Sequence, residues 1–107
     1  MNKLKEYTGP LFSLLKSLPR GKIITYAIAA KIIGLQNPRN IGWILRQNDA
    51  PDRTPCYKVI RSDGRLAEGY KFGGREKQKQ RLEEEGMTFD RNDRIIDFKE
   101  RTESNYY

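Results

Sequence analysis

Apolar residues recur at helical spacing at Leu11, Leu14, Leu15 and Leu18, after Thr8, which can cap, and Pro10, which suits a first turn. The pattern predicts a core helix over 8–18. Pro19, Arg20, Gly21 and Lys22 stop it in a turn, and Ile23-Ile24 follow as a short extended piece. Thr25 is a good N-cap for a second helix over 26–33, closed by Gly34. Asn37 as cap and Pro38 at the first helical position repeat the start signal and predict a third helix to about Gln47. Two short helices joined by a tight glycine-bearing turn predict a helix-turn-helix, with the third helix as its recognition helix. Within that helix Ile41, Ile44 and Leu45 share an inward face, which leaves Arg39, Asn40 and Arg46 outward. Trp43 suits either the core or a stacking surface.

The second half changes character. A polar, proline-bearing loop over 48–53 delivers the chain to Thr54-Pro55-Cys56. Lys58-Val59-Ile60 is β-rich, Ser62-Asp63-Gly64 is a strong turn, and Arg65-Leu66-Ala67 is expected to pair back as a hairpin, a wing behind the helix-turn-helix. Residues 69–74 combine Gly69, Gly73 and Gly74 with Tyr70 and Phe72, which suits a close-fitting wall at a ligand, or else a mobile surface loop. Residues 75–85 predict a charged helix with few apolar positions, chiefly Leu82, capped by Gly86. Met87, Thr88 and Phe89 return to the core. After a turn at 90–93, Ile95, Ile96 and Phe98 predict a last packed segment, and the stretch 98–107 is expected to fray. The expected fold is mainly α with a small β wing, a winged helix-turn-helix-like single domain over 1–107.

Charge adds a partner class. Lys and Arg number 21 against 14 Asp and Glu, a net charge of +7, which fits a polyanion such as nucleic acid or simply a basic soluble protein. No apolar run approaches membrane-spanning length and the first residues lack the apolar core of a secretory signal, so an intracellular protein with no membrane partner is expected. One cysteine excludes an internal disulfide, and the absence of histidine argues against a zinc site.

That one cysteine follows Pro55, which fixes its own φ and biases Thr54 away from the helical region. A helical turn opening at Cys56 would put unpaired backbone N–H groups and the positive end of the peptide dipoles beside the sulfur, favouring thiolate. Read so, Cys56 is a nucleophile; read plainly, it is a small buried hydrophobe.

Pro55-Cys56-Tyr57-Lys58-Val59-Ile60, followed by Ser62-Asp63-Gly64-Arg65-Leu66, resembles the active-site signature of the O6-alkylguanine-DNA alkyltransferases, Pro-Cys-His-Arg-Val, with Tyr57 where that family has histidine. The resemblance runs from Pro19 to about Gly86 with its parts in the family's order. It implies that Thr25 and Tyr26 open the first DNA-binding helix, with Tyr26 helping to rotate the target nucleotide. Arg39 corresponds to the arginine that fills the gap in the duplex, beside Asn40 and Arg46 on the recognition helix. Asn48 matches an active-site asparagine, Cys56 the alkyl acceptor, Tyr70 with Gly73 and Gly74 the wall of the guanine pocket, and Glu85 the carboxylate of a proton network. The implied partner is double-stranded DNA containing O6-alkylguanine, met in the minor groove by a monomer, and the implied reaction uses no cofactor.

Chemistry on guanine O6 requires the base to leave the stack, at a cost of a few kcal/mol. Displacement at carbon by sulfur requires thiolate. Tyr57, a poor base, leaves Glu85 to hold the proton, through the Tyr57 hydroxyl or through water. The product is a thioether, and no second cysteine can accept the group onward, so each molecule is expected to act once. Two rival readings remain: a non-catalytic lesion sensor like the alkyltransferase-like proteins, and a regulator that reads undamaged sequence with Cys56 buried or redox-active.

Overall fold

The leucines of the first half gather three helices around one apolar cluster. The computed structural model describes residues 3–67 and 69–102. A 3-10 turn, Lys3–Tyr7, runs directly into α1 (Thr8–Lys16), which buries Leu11, Leu14 and Leu15. Thr8 is therefore the first residue of the helix and not its cap, because the backbone is already turning when it arrives. The helix stops two residues short of 18, with the Ser17 N–H closing on Ser13 and Leu14, while Leu18 stays buried.

β1 (Ile24–Thr25) leads into α2 (Tyr26–Ile33), where the Thr25 hydroxyl accepts the Ile28 N–H at 3.1 Å, as an N-cap should. Gly34, at φ 89°, ends α2 in a left-handed turn that satisfies the Ala30 carbonyl twice, from Gly34 N at 2.9 Å and Leu35 N at 2.8 Å. α3 (Arg39–Leu45) begins where the Asn37 side chain accepts the Arg39 N–H at 3.1 Å. It ends two residues earlier than the sequence suggests. Ile41 and Ile44 are fully buried between α3 and its neighbours, with Trp43 and Leu45 partly buried beside them.

The expected hairpin does not form. β2 (Val59–Ile60) pairs in parallel with β1, Ile24 opposite Val59 and Thr25 opposite Ile60. Arg65 closes only a turn onto Arg61 N (3.0 Å) and bridges to Arg94 instead. The physical reason is burial on both faces: Ile24 and Val59 belong to the first apolar cluster, whereas Ile23 and Ile60 face a second with Leu66, Leu82, Met87 and Ile95. The tiny sheet is the seam between two cores and not an exposed wing.

α4 (Gly74–Glu84) finishes in a Schellman turn, with Gly86 N on Glu83 O at 2.9 Å and Met87 N on Leu82 O at 3.2 Å. The segment expected to fray from 98 is ordered through 102. α5 (Phe98–Arg101) is followed by Thr102, 2% exposed, and the Ile23 N–H bonds to Arg101 O at 2.9 Å. Phe98 lies flat against Gly64, where a Cβ would meet its ring at 2.9 Å, and this contact holds the segment. Residues 103–107 of that expected tail lie outside the described residues.

Candidate active site and DNA-facing surface

Pro55 hands the chain to a single 3-10 turn, Cys56–Lys58, so the sulfur stands at the start of a turn as the sequence suggests. Cys56 is 4% exposed and borders a cavity of about 50 Å³. The lining comes from Tyr26 on α2, Gly42, Leu45 and Arg46 on α3, Gln78 on α4, and Ala67, Gly69, Tyr70 and Lys71 in the loop before α4. That volume holds a few water molecules and is smaller than the roughly 150 Å³ that admits a benzene ring. Asn48, 1% exposed, lies beside the sulfur: its amide donates to Thr54 O at 2.9 Å and accepts the Ala50 N–H at 3.0 Å.

Burial pushes the Cys56 thiol above its ordinary value, and it wins over the Asn48 hydrogen bond, the cysteine's own N–H and the positive charges of Arg81 and Lys71, which all pull downward. The net depression expected from the turn and the basic surround does not occur in the free protein. One 3-10 turn offers too little dipole to offset a nearly dry sulfur.

Tyr70 presents an unusual atom. Its hydroxyl is buried at the cavity and has no hydrogen-bond partner among the described residues. Burial first, and then the nearby Cys56, push its pKa up to about 12, so it is a donor without an acceptor. Gly73 and Gly74, expected in the pocket, do not line it. They make the turn into α4 at φ 114° and 75°, and a Cβ on Gly73 would run into the Lys77 side chain.

Tyr57 faces the other core. Its hydroxyl donates to Glu85 Oε2, while Glu85 Oε1 accepts from Lys58 Nζ at 2.9 Å and from Gly21 N at 2.8 Å. Burial alone would raise the Glu85 pKa, but the Tyr57 hydroxyl, the Gly21 N–H and the Lys58 cation together hold it below the usual carboxylate range. Burial and the same carboxylate push Tyr57 up to about 12. Among the described residues no hydrogen bond joins either side chain to Cys56. The expected relay from sulfur to carboxylate is thus half built: Tyr57 and Glu85 meet, and Cys56 stands apart.

On the outer face, Arg39 is exposed and Asn40 half-buried in the first turn of α3, and Arg46 is exposed at its far end by the cavity mouth. Tyr26 is half-buried and lines the cavity. Thr25, expected to meet DNA, is 5% exposed, and its hydroxyl accepts the Ile28 N–H at the start of the helix that carries Tyr26.

Four residues escaped the sequence reading. Gln78 donates to Tyr57 O at 3.0 Å and Val59 O at 3.3 Å, and its spacing four before Leu82 was a usable sign of an inward position. Lys58 is 3% exposed and pairs with Glu85; Arg81 lies 4.5 Å from the centre of the Tyr57 ring; Lys71 grips the end of α3. These three depend on long-range neighbours and left no local signal. No group of three His, Cys, Asp or Glu among the described residues is placed to hold a metal ion, and no helix is long and apolar enough to cross a membrane.

Residues 8–87 match the family of 6-O-methylguanine DNA methyltransferase DNA binding domains. The chain belongs to this family. The methylated-DNA--protein-cysteine methyltransferase of Pyrobaculum aerophilum is 39% identical over 83 residues, covering 77% of this chain and 54% of that protein. The alkyltransferase-like protein 1 of Schizosaccharomyces pombe is 28% identical over 86 residues, covering 79% of this chain and 80% of the relative. Among solved structures, the O6-methylguanine-DNA methyltransferase of Pyrococcus kodakaraensis is 34% identical with a TM-score of 0.64, over 75% of this chain and 46% of that one. The chain spans about half the length, or less, of curated relatives named as methyltransferases that it matches. Family membership thus covers both transferases and alkyltransferase-like proteins, and the residues of the cavity have to separate them.

Proposed function

We propose that this chain repairs alkylated duplex DNA by accepting the alkyl group of O6-alkylguanine on Cys56, once per molecule. The observation that carries the reading is the cavity at Cys56. A sulfur nucleophile and an unpartnered phenol donor, Tyr70, meet there at the edge of a helix-turn-helix. A purine ring offers ring-nitrogen acceptors, and seating one against Tyr70 satisfies the orphaned hydroxyl.

In this reading Arg46 helps bring α3 onto the phosphate-lined groove, the target base leaves the stack past Tyr26, and Arg39 fills the gap it leaves. The small cavity widens by displacement of the wall around Gly69 and Tyr70, since the present volume is below that of any base. The sulfur then attacks the alkyl carbon in line with the departing guanine oxygen; the S–C bond forms as the C–O bond breaks, and the guanine takes up a proton. The thiol proton leaves to solvent through the cavity, because among the described residues no hydrogen bond links Cys56 to Glu85, whose oxygens are engaged by Tyr57, Lys58 and Gly21. No cofactor is required by these steps.

A second reading is favoured by a specific observation. The raised thiol pKa and the diversion of the Tyr57 hydroxyl to Glu85 suit a protein that holds the lesion without reacting, as a sensor would. Incubation with duplex DNA carrying one O6-methylguanine, followed by mass analysis of the Cys56 peptide, separates the two. A methylated peptide supports transfer; tight, lesion-dependent binding with an unmodified peptide supports the sensor.

A further inference from the structure

One cation, Lys71, lines the Cys56 cavity and another, Arg81, stands over the neighbouring Tyr57; the alkyltransferase signature includes neither. Lys71 lines the cavity and is held there by oxygen atoms at the end of α3: its ammonium donates to Arg46 O at 3.0 Å and Asn48 O at 2.9 Å, with Asp49 Oδ1 at 3.4 Å. Arg81 sits three residues beyond Gln78, another lining residue, on the same helix. It stacks 4.5 Å over the Tyr57 ring and reaches Asp52 Oδ1 at 3.4 Å. Both counter-ions face water, Asp49 with 93% and Asp52 with 91% of its side chain exposed, where solvent screens them and ion pairing is weak. The cations are less exposed than these carboxylates, Lys71 at 39% and Arg81 at 31% of the side chain.

The remaining groups facing the sulfur are Tyr26 from α2, Arg46 at the end of α3, Tyr70 from the loop and the neutral Asn48. The two tyrosines are neutral phenols near neutral pH, and Arg46 is exposed at the mouth. Lys71 borders the same cavity as the sulfur, and Arg81 lies over the ring of Tyr57, the next residue in the chain.

We propose that Lys71, at the cavity, and Arg81, over the adjacent Tyr57 ring, form a cationic bracket around Cys56, stabilising negative charge on the sulfur in the absence of a basic side chain at position 57. The bracket deepens the transfer reading and rests on it for its purpose. The tie from Lys71 to the end of α3 sets where its charge sits. Lys71 and Arg81 are positioning and electrostatic residues; neither exchanges a proton or a covalent bond with the alkyl group.

The test needs no DNA. Alkylation of Cys56 by iodoacetamide, in which sulfur bonds to carbon, iodide leaves and the thiol proton passes to buffer, is followed against pH in the full chain. Lys71→Met and Arg81→Met are each expected to move the midpoint up by about half a pH unit, and the double variant by about one unit. Lys71→Arg and Arg81→Lys, which keep the charge, should stay close to wild type, and thermal melting confirms that each variant is folded. Midpoints of the neutral variants equal to wild type would overturn the bracket. So would charge-conserving variants that shift as far as the neutral ones, since packing and not charge would then be the cause. A wild-type protein that never takes an alkyl group from DNA would sink the transfer reading alone, because the iodoacetamide profile still decides the bracket.

Discussion

The Tyr57 hydroxyl gives its hydrogen to Glu85 Oε2 in the second apolar cluster, while its neighbour Cys56 packs in the first. Adjacent residues of one 3-10 turn thus point into different cores. Tyr57 on this geometry is an anchor for Glu85 and not a conduit for the thiol proton. Tyr57→Phe should lower unfolding free energy by about 1.5–3 kcal/mol, the worth of a hydrogen bond to a charged group, while transfer stays within about threefold of wild type. Urea melts and single-turnover kinetics check both halves. A hundredfold loss of transfer, the size expected for a lost proton relay, would restore Tyr57 to the chemistry.

Glu85 ties three distant segments together: Gly21 before β1, Tyr57 and Lys58 beside Cys56, and the end of α4. Its folded pKa lies below the ordinary 4.5, so the unfolded chain binds protons first as pH falls. The stability this carboxylate supplies is complete above the unfolded value and is lost as pH drops through the folded one. Glu85→Gln leaves Lys58, 3% exposed, without its counter-charge, and should cost about 3–5 kcal/mol at neutral pH. The variant should also show a flatter decline of stability below about pH 4.5 than wild type, measured by denaturant melts across pH.

Much of this scaffold was legible in the sequence, and the reasons differ by element. Thr25, Gly34 and Gly86 act through bonds within four residues, so local chemistry predicted the ends of α2 and α4. Asn37 likewise announced α3. The pairing of β2 was misread because Ser62-Asp63-Gly64 is a sound turn whichever strand Val59-Ile60 joins; only the two-sided burial of those residues selects β1. At the site, the position of Cys56 at a turn and beside Tyr70 was legible. Its raised pKa was not, since the balance of burial against Arg81 and Lys71 depends on partners 15 to 25 residues away.

Under the proposed transfer, thiolate supply should govern the pH dependence. Burial places the Cys56 pKa above the ordinary 9.0, so near neutrality only a small fraction of the sulfur is ionised. The single-turnover rate at saturating lesion duplex should rise close to tenfold per unit between about pH 7 and 8, with no plateau below about pH 9. A plateau reached by pH 7 would show that bound DNA, or a group other than those facing the free sulfur, sets the ionisation.

Tyr70→Phe isolates the orphaned hydroxyl. Removing a buried donor that has no partner among the described residues should leave the free protein as stable as wild type or raise stability by about 1 kcal/mol, read from thermal melts. The same change should weaken discrimination of lesion over undamaged duplex by about tenfold, since a purine acceptor then meets only a ring edge. Unaltered discrimination would remove Tyr70 from base recognition.

The most direct measurement is the intact mass of the full chain after exposure to duplex DNA with a single O6-methylguanine, alongside Cys56→Ala. The account predicts stoichiometric gain of one methyl group by the wild type, mapped to Cys56 and capped at one per molecule, with no gain by the variant. A wild-type chain that binds the lesion duplex at saturation and keeps its original mass, even at alkaline pH, would contradict it.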